Sequence, residues 1–148
     1  MHRKQFIKHC GFACAGATIG MLLLDGCASS KTVTGKIVDT DLVISTENFL
    51  LEKSAQSTYR KYIIATHDQL RYPIYVYRFS DDAYFATLMQ CTHQGAELQA
   101  FGDRLQCPAH DSEFNYKGEV LNGPANESLR SFPVVIQNNL LKISLKHV

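Results

Sequence analysis

From residue 36 onward, apolar and polar residues form short runs that predict β-strands. The runs dense in Ile, Val, Tyr and Phe are KIVDTDLVIS (36–45), RKYIIATH (60–67), YPIYVYRF (72–79) and AYFATLM (83–89). Successive side chains of a strand point to opposite faces, so a period of two residues marks a strand with one buried face. Polar turn residues after residue 67 and at 80–82 separate the later runs.

Two hairpins are predicted in the second half of the chain. PVVIQ and LLKISL flank Asn138-Asn139, and ELQAF and RLQ can pair across Gly102-Asp103. The segment ENFLLEKSAQ (47–56) is the one candidate for a helix after residue 35, and it also fits a strand edge followed by a loop. The pattern therefore predicts an all-β domain of about ten short antiparallel strands.

The first 26 residues have the composition of an export signal. Arg3, Lys4 and Lys8 form a basic start, and an uncharged apolar run follows over 11–24. This run is shorter than the ~20 residues that cross a bilayer, which favours a cleaved signal peptide over a membrane-spanning anchor.

The end of this segment resembles a lipoprotein signal. LLLDGC (22–27) is similar to a lipobox, although Asp25 departs from the usual small residue. The resemblance implies that Cys27 is lipidated and becomes the first residue of the mature chain. HRKQFIK (2–8) resembles a twin-arginine export signal with Arg3-Lys4 in place of the arginine pair, and a general secretory signal is the alternative.

These observations divide the chain into three parts. We expect a signal peptide over 1–26, a lipidated tether over 27–35 and one domain over 36–148. The expected location is the periplasmic or outer face of a membrane, with the lipid on Cys27 as the anchor. The formal net charge of +1 provides no basic surface for nucleic acid, which we exclude as a partner.

Cleavage of the signal would reduce the number of cysteines that remain as free thiols. Cys10 and Cys14 leave with the signal and Cys27 is committed to lipid, so Cys91 and Cys107 remain. In an oxidising compartment these two could form a disulfide. That interpretation leaves the nearby His93 and His110 without a role.

Two pairs of metal-binding side chains, Cys91 with His93 and Cys107 with His110, lie on either side of a 13-residue spacer. Zinc takes two thiolates and two imidazoles, but its common arrangement places two cysteines in one pair. Copper commonly takes one Cys, two His and an axial Met; Met89 is nearby, but the second thiolate is then unexplained. A [2Fe-2S] cluster with two Cys on one iron and two His on the other takes one Cys and one His from each loop.

The residues around these pairs resemble the Rieske iron–sulfur family. CTHQG (91–95), CPAHDSEFN (107–115), GEV (118–120) and GPA (123–125) follow the family pattern in order. The likeness covers residues 36–148 and implies a Rieske-type fold of stacked antiparallel sheets, with a cluster-binding subdomain at about residues 90–125.

The resemblance also implies ligand roles. Cys91 and Cys107 would bind one iron of a Rieske-type [2Fe-2S] cluster, and His93 and His110 would bind the other iron through Nδ1 with Nε2 facing outward. Six further residues would surround the cluster, namely Gly95, Pro108, Ser112, Phe114, Gly123 and Pro124. Gly95 would allow a close backbone approach, Pro108 would stiffen the second loop, and Gly123-Pro124 would shield the cluster from water.

Several positions depart from the high-potential members of that family. Ala96 and Ala109 stand where those members carry a pair of disulfide-bonded cysteines. Ser112 matches a hydroxyl that donates to a bridging sulfide, and Phe114 replaces a tyrosine that donates to a cysteine sulfur. Because such hydrogen bonds stabilise the reduced cluster, we expect an intermediate reduction potential. Asp111 replaces a common glycine and would favour the oxidised cluster, unless it is only a solvated loop residue.

The expected function is one-electron transfer to or from a membrane-bound or periplasmic oxidoreductase. The sequence shows no constellation of acid, base and nucleophile beside the site, so we expect an electron-transfer component and not an enzyme by itself. Two alternatives remain: the ferredoxin component of an oxygenase or reductase system, and a zinc-binding structural lipoprotein.

Overall fold

A computed structural model describes residues 30–52 and 57–146. The signal peptide and Cys27 lie outside these residues. The strands of the described part are β1 Lys31–Thr34, β2 Lys36–Val38, β3 Asp41–Ser45, β4 Leu50–Glu52, β5 Thr58–Tyr59, β6 Tyr62–Thr66, β7 Ile74–Arg78, β8 Tyr84–Leu88, β9 Gln99–Phe101, β10 Arg104–Gln106, β11 Glu113–Asn115, β12 Val120–Asn122, β13 Ser131–Phe132, β14 Val134–Gln137 and β15 Leu140–Ser144. A 3-10 helix covers Thr46–Phe49.

The strands form three main sheets, which confirms the all-β prediction. The central sheet has the order β1-β6-β7-β8-β13, the terminal sheet β14-β15-β3-β2 and the hairpin sheet β12-β11-β10-β9. β4 and β5 form a separate two-stranded pair. No helix among the described residues has the length and apolar character needed to cross a membrane.

The central sheet is buried on both faces, and β7 shows why. Ile74 and Val76 point into a hydrophobic cluster that includes residues of the terminal sheet, whereas Tyr75 and Tyr77 point into a second cluster that includes residues of the hairpin sheet. The sequence IYVYR therefore presents aliphatic residues to one layer and aromatic residues to the other. Each fully buried large apolar side chain contributes roughly 1.5–3 kcal/mol to folding.

Both predicted hairpins are present. β14 pairs with β15 across Asn138 and Asn139, whose φ angles are 51° and 61°. β9 pairs with β10 across a turn that contains Gly102 at φ 62°. A two-residue hairpin turn needs positive φ, which Asn and Gly adopt with little strain.

The N-terminal side of the domain differs from the prediction. Lys31–Thr34, which we assigned to the tether, forms β1 and pairs in parallel with β6, so the fold is not wholly antiparallel. The half-buried Val33 packs against the first cluster, which gives the strand an apolar contact. The described part of the candidate helix, residues 47–52, is divided between the 3-10 helix, whose Phe49 is buried, and β4.

Candidate metal centre

The two predicted donor pairs lie on two loops at one end of the hairpin sheet. The first Cys-His loop, residues 91–96, follows β8, and the second Cys-His loop, residues 107–112, connects β10 to β11. In the first loop, the Gly95 N–H donates to the Cys91 carbonyl oxygen at 2.8 Å, and the Cys91 N–H donates to the Ala96 carbonyl oxygen at 2.8 Å. These bonds close a turn around the Cys-x-His sequence.

The second Cys-His loop repeats this pattern. The Asp111 N–H donates to the Cys107 carbonyl oxygen at 3.0 Å, and the Cys107 N–H donates to the Ser112 carbonyl oxygen at 2.8 Å. Gly95 and Asp111 hold equivalent positions and both have positive φ, at 74° and 60°. A glycine is common at the position of Asp111, and the left-handed backbone there suits a glycine. Aspartate tolerates this backbone better than most residues.

The four donor residues differ in how deeply they are buried. Cys91 and Cys107 have exposed fractions of 2% and 1% and belong to the second hydrophobic cluster. Their thiols are free, so the structure does not contain the alternative disulfide. His93 is half-buried and His110 is exposed, and their ring centroids are 4.9 Å apart at an interplanar angle of 87°. The thiols are thus enclosed, and the imidazoles form the boundary with solvent.

The Nδ1 atom of His93 is available for metal coordination. This atom is buried and has no hydrogen-bond partner. An unpartnered buried polar atom costs about 1–3 kcal/mol, so such atoms are rare in folded proteins unless they serve another purpose. Coordination of a metal ion by the neutral imidazole nitrogen would remove this free-energy cost.

The residues that the structure describes contain no group of three or more His, Cys, Asp or Glu side chains gathered around one point. A Rieske-type cluster takes one pair of donors on each of its two irons.

The comparison with protein families gives the assignment. Residues 28–133, more than half of the chain, match the family model for the Rieske [2Fe-2S] domain. The chain belongs to the Rieske family. Its cofactor is therefore the Rieske-type [2Fe-2S] cluster, and its chemistry is electron transfer.

Several solved structures are similar to this Rieske domain, and the first two below share its fold. The plasma membrane Rieske protein PetC3 from Synechocystis PCC 6803 is 23% identical, with a TM-score of 0.50 over 57% of this chain and 86% of PetC3. The quaternary ammonium Rieske monooxygenase CntA with L-carnitine is 19% identical, with a TM-score of 0.55 over 72% of this chain and 32% of CntA. The Sphingomonas yanoikuyae B1 ferredoxin is 24% identical, with a TM-score of 0.45 over 57% of this chain and 85% of the ferredoxin. No curated protein matches the sequence.

A third loop lies against both Cys-His loops of the Rieske domain. This proline loop, residues 122–127, contains the cis peptide bond between Gly123 and Pro124. The Ala125 N–H donates to the buried Oγ of Ser112 at 3.0 Å. On the other side, the Thr92 hydroxyl donates to the Glu127 carbonyl oxygen at 2.6 Å. The Gly-Pro segment that the sequence indicated is thus held beside both pairs of donors.

Ser112 and Phe114, two residues predicted to surround the cluster, are fully buried. The Ser112 hydroxyl accepts the Ala125 N–H, so its own hydrogen stays available for an acceptor such as a sulfide. Phe114 belongs to the same hydrophobic cluster as both cysteines. Pro108 is exposed beside the buried Cys107.

Three tyrosines of the central-sheet region bind the backbone of the neighbouring segment, and the sequence motif did not indicate them. Tyr72 donates to the Gly95 carbonyl oxygen at 2.7 Å, Tyr62 to that of Ala100 at 3.3 Å and Tyr75 to that of Gly102 at 2.8 Å. Burial raises the pKa of Tyr75, so this hydroxyl remains a donor. The three bonds fasten the first Cys-His loop and the β9–β10 hairpin to the central sheet.

Proposed function

We propose that this Rieske domain is a membrane-anchored one-electron carrier whose cluster is held by Cys91 and Cys107 on one iron and by His93 and His110 on the other. The observation that carries the assignment is the buried Nδ1 of His93, which lacks a partner and lies beside the His110 ring. Two enclosed free thiols supply the second pair of donors.

The placement of the four donors suits electron transfer at the protein surface. When bound, a Rieske cluster accepts and releases one electron. Cys91 and Cys107 belong to the second hydrophobic cluster, which excludes water from the inner side of the site. The exposed His110 and half-buried His93 provide the shortest contact between the site and a docked partner.

The residues around the site favour a moderate reduction potential, and the domain would have no disulfide between its two Cys-His loops. The free hydrogen of Ser112 can reach a sulfide, whereas Phe114 offers no donor. Ala96 and Ala109 replace the bridging cysteines, so the proline loop and Tyr72 brace the Cys-His loops instead. Each missing donor to sulfur lowers the potential because it removes stabilisation from the reduced state.

We infer the location and the class of partner from the N-terminal sequence. We propose that residues 1–26 direct export and that lipid on Cys27 anchors the domain at the periplasmic or outer side of a membrane. Because β1 already starts at Lys31, the tether is short and the domain would lie close to the membrane. The partner would be a membrane-bound or periplasmic oxidoreductase, rather than the cytoplasmic oxygenase that a soluble ferredoxin serves.

Electron paramagnetic resonance of the dithionite-reduced protein tests the ligand assignment. We expect a rhombic signal with a low average g-value, and its loss in Cys91→Ser and His110→Ala. His67→Ala is the matched control, because the His67 Nδ1 accepts the Gln69 N–H within its own turn, so the signal should persist. A colourless protein that retains bound zinc would contradict the assignment.

Cell fractionation tests the anchor separately. We expect the wild-type protein in the membrane fraction. We expect Cys27→Ser either in the soluble fraction or as a precursor that retains its signal peptide. A Cys27→Ser protein that stays membrane-bound after cleavage of its signal would overturn the lipid anchor without affecting the cluster assignment.

A further inference from the structure

An open groove of about 280 Å³ lies beside the first Cys-His loop. Its lining includes Tyr72, which binds the carbonyl oxygen of Gly95, and Gln90, which directly precedes Cys91. Two arginines, Arg71 and Arg130, also line it. We call it the two-arginine groove. The Rieske motif contains none of these four lining residues.

Both guanidinium groups lie along the walls of this groove. The Arg130 Nη2 donates to the Leu145 carbonyl oxygen at 3.1 Å, and its Cζ lies 4.7 Å from the Phe132 ring centroid. The Arg71 Cζ lies 5.3 Å from the Tyr72 ring centroid. Leu145, Phe132 and Tyr72 all line the groove, so each cation is held against a wall by a neighbour.

The charge of the two arginines is not balanced within the groove. Among the residues that the structure describes, none of those that line the groove is acidic. The two ion pairs found among the described residues join Arg78 to Asp81 and Arg104 to Glu113, and neither involves Arg71 or Arg130. Two guanidinium groups that line one groove without a carboxylate create an attractive potential for an anion.

We propose that the two-arginine groove binds a carboxylate group through Arg71 and Arg130. A guanidinium presents paired N–H donors that match the two oxygens of a carboxylate, and Arg130 uses one donor on Leu145, which leaves others available. The side-chain amides of Gln69 and Gln90 supply further hydrogen bonds to the same ligand. The volume suits one small dicarboxylate or one acidic side chain of a protein.

The groove is coupled to the first Cys-His loop. Tyr72 lies under Arg71 on one side and holds the Gly95 carbonyl on the other. A carboxylate bound here adds negative charge beside the loop, which favours the oxidised cluster and lowers the reduction potential. This coupling rests on the proposed function, whereas the binding of a carboxylate does not.

Isothermal titration calorimetry of the cluster-loaded protein tests the proposal with two probes, glutarate and a ten-residue glutamate peptide. Sodium chloride keeps the ionic strength constant. We expect at least one probe to bind, and Arg71→Gln to weaken that binding by about tenfold or more, as expected for loss of a charge-assisted fork. Arg104→Gln is the matched control, since Arg104 is exposed and paired with Glu113 elsewhere, and its affinity should stay within about twofold of wild type.

The outcomes separate the sources of the carboxylate. Arg71-dependent binding of glutarate supports a free small acid, and Arg71-dependent binding of the peptide alone supports an acidic segment of a protein partner. Absence of binding by both probes, or equal affinity in wild type and Arg71→Gln, overturns the proposal. The visible spectrum of the same samples reports cluster content, so a failure of the cluster assignment is distinguished from a failure of the groove.

Discussion

The Tyr72 hydroxyl donates to the Gly95 carbonyl oxygen at 2.7 Å, and this bond links the segment before β7 to the first Cys-His loop. Gly95 in turn donates its N–H to the Cys91 carbonyl oxygen. The position of one candidate ligand is therefore coupled to a tyrosine that lies outside the Cys-His motif. This bond therefore braces the first Cys-His loop against the segment before β7.

Tyr72→Phe removes the hydroxyl and keeps the ring that supports Arg71. We expect a loss of about 0.5–1.5 kcal/mol in unfolding free energy, since one neutral hydrogen bond contributes that much, and a faster loss of the cluster on dilution into chelator. Denaturant unfolding and the decay of visible absorbance measure the two effects.

Tyr62→Phe is the matched control for this variant. Its hydroxyl also donates to a backbone carbonyl, that of Ala100, which lies beyond the Cys-His loop. We expect a similar loss of stability without a change in cluster retention. Equal cluster loss in both variants would show that Tyr72 acts only through global stability.

Ser112→Ala tests a residue that has two roles. The Ala125 N–H would lose its buried acceptor, which costs about 1–3 kcal/mol, and the proline loop would be held less firmly. Loss of a donor to sulfide should also lower the reduction potential by on the order of 60 mV, which corresponds to about 1.4 kcal/mol for one electron. Unfolding and protein-film voltammetry measure the two effects. A destabilised variant with an unchanged potential would restrict Ser112 to its structural bond.

The candidate metal-binding residues could be named, and the later strands predicted, because their signals are local. Cys91-x-His93 and Cys107-x-x-His110 are contiguous motifs, and the Asn138-Asn139 turn lies between two apolar runs. The period of two residues indicates which side chains share a face but not which strands become neighbours.

The features that escaped prediction depend on contacts between distant segments. β1 is a short, mostly polar strand that is stabilised by parallel pairing with β6, about thirty residues later. Tyr72 reaches Gly95 only because the central sheet places the start of β7 next to the end of β8. The two-arginine groove likewise combines segments around residues 71, 90, 130 and 145.

Phe114→Tyr restores a hydroxyl that the high-potential members carry. The side chain is fully buried in the hydrophobic cluster that contains both cysteines, so the added O–H requires an acceptor there, and a cysteine sulfur is the acceptor expected from the family pattern. We expect the reduction potential to rise by on the order of 60 mV, measured by voltammetry. Phe101→Tyr, at an exposed position of β9, should leave it unchanged. A potential that stays constant or falls in Phe114→Tyr would contradict the role assigned to this position.

Asp111 combines a negative charge with a left-handed backbone at φ 60°, and two variants separate these properties. Asp111→Asn removes the charge and retains a residue that tolerates positive φ. Asp111→Gly removes the charge and also the steric strain of positive φ. If the charge favours the oxidised cluster, both variants should raise the reduction potential by a similar amount, on the order of tens of millivolts for an exposed group.

Asp103→Asn, in the exposed turn between β9 and β10, is the matched control for charge and should leave the potential unchanged. Voltammetry at low and high salt checks the cause, because the effect of an exposed charge is reduced as ionic strength rises. A rise in Asp111→Gly alone would assign the effect to the backbone of the second Cys-His loop, whereas no rise in either variant would leave Asp111 as a solvated loop residue.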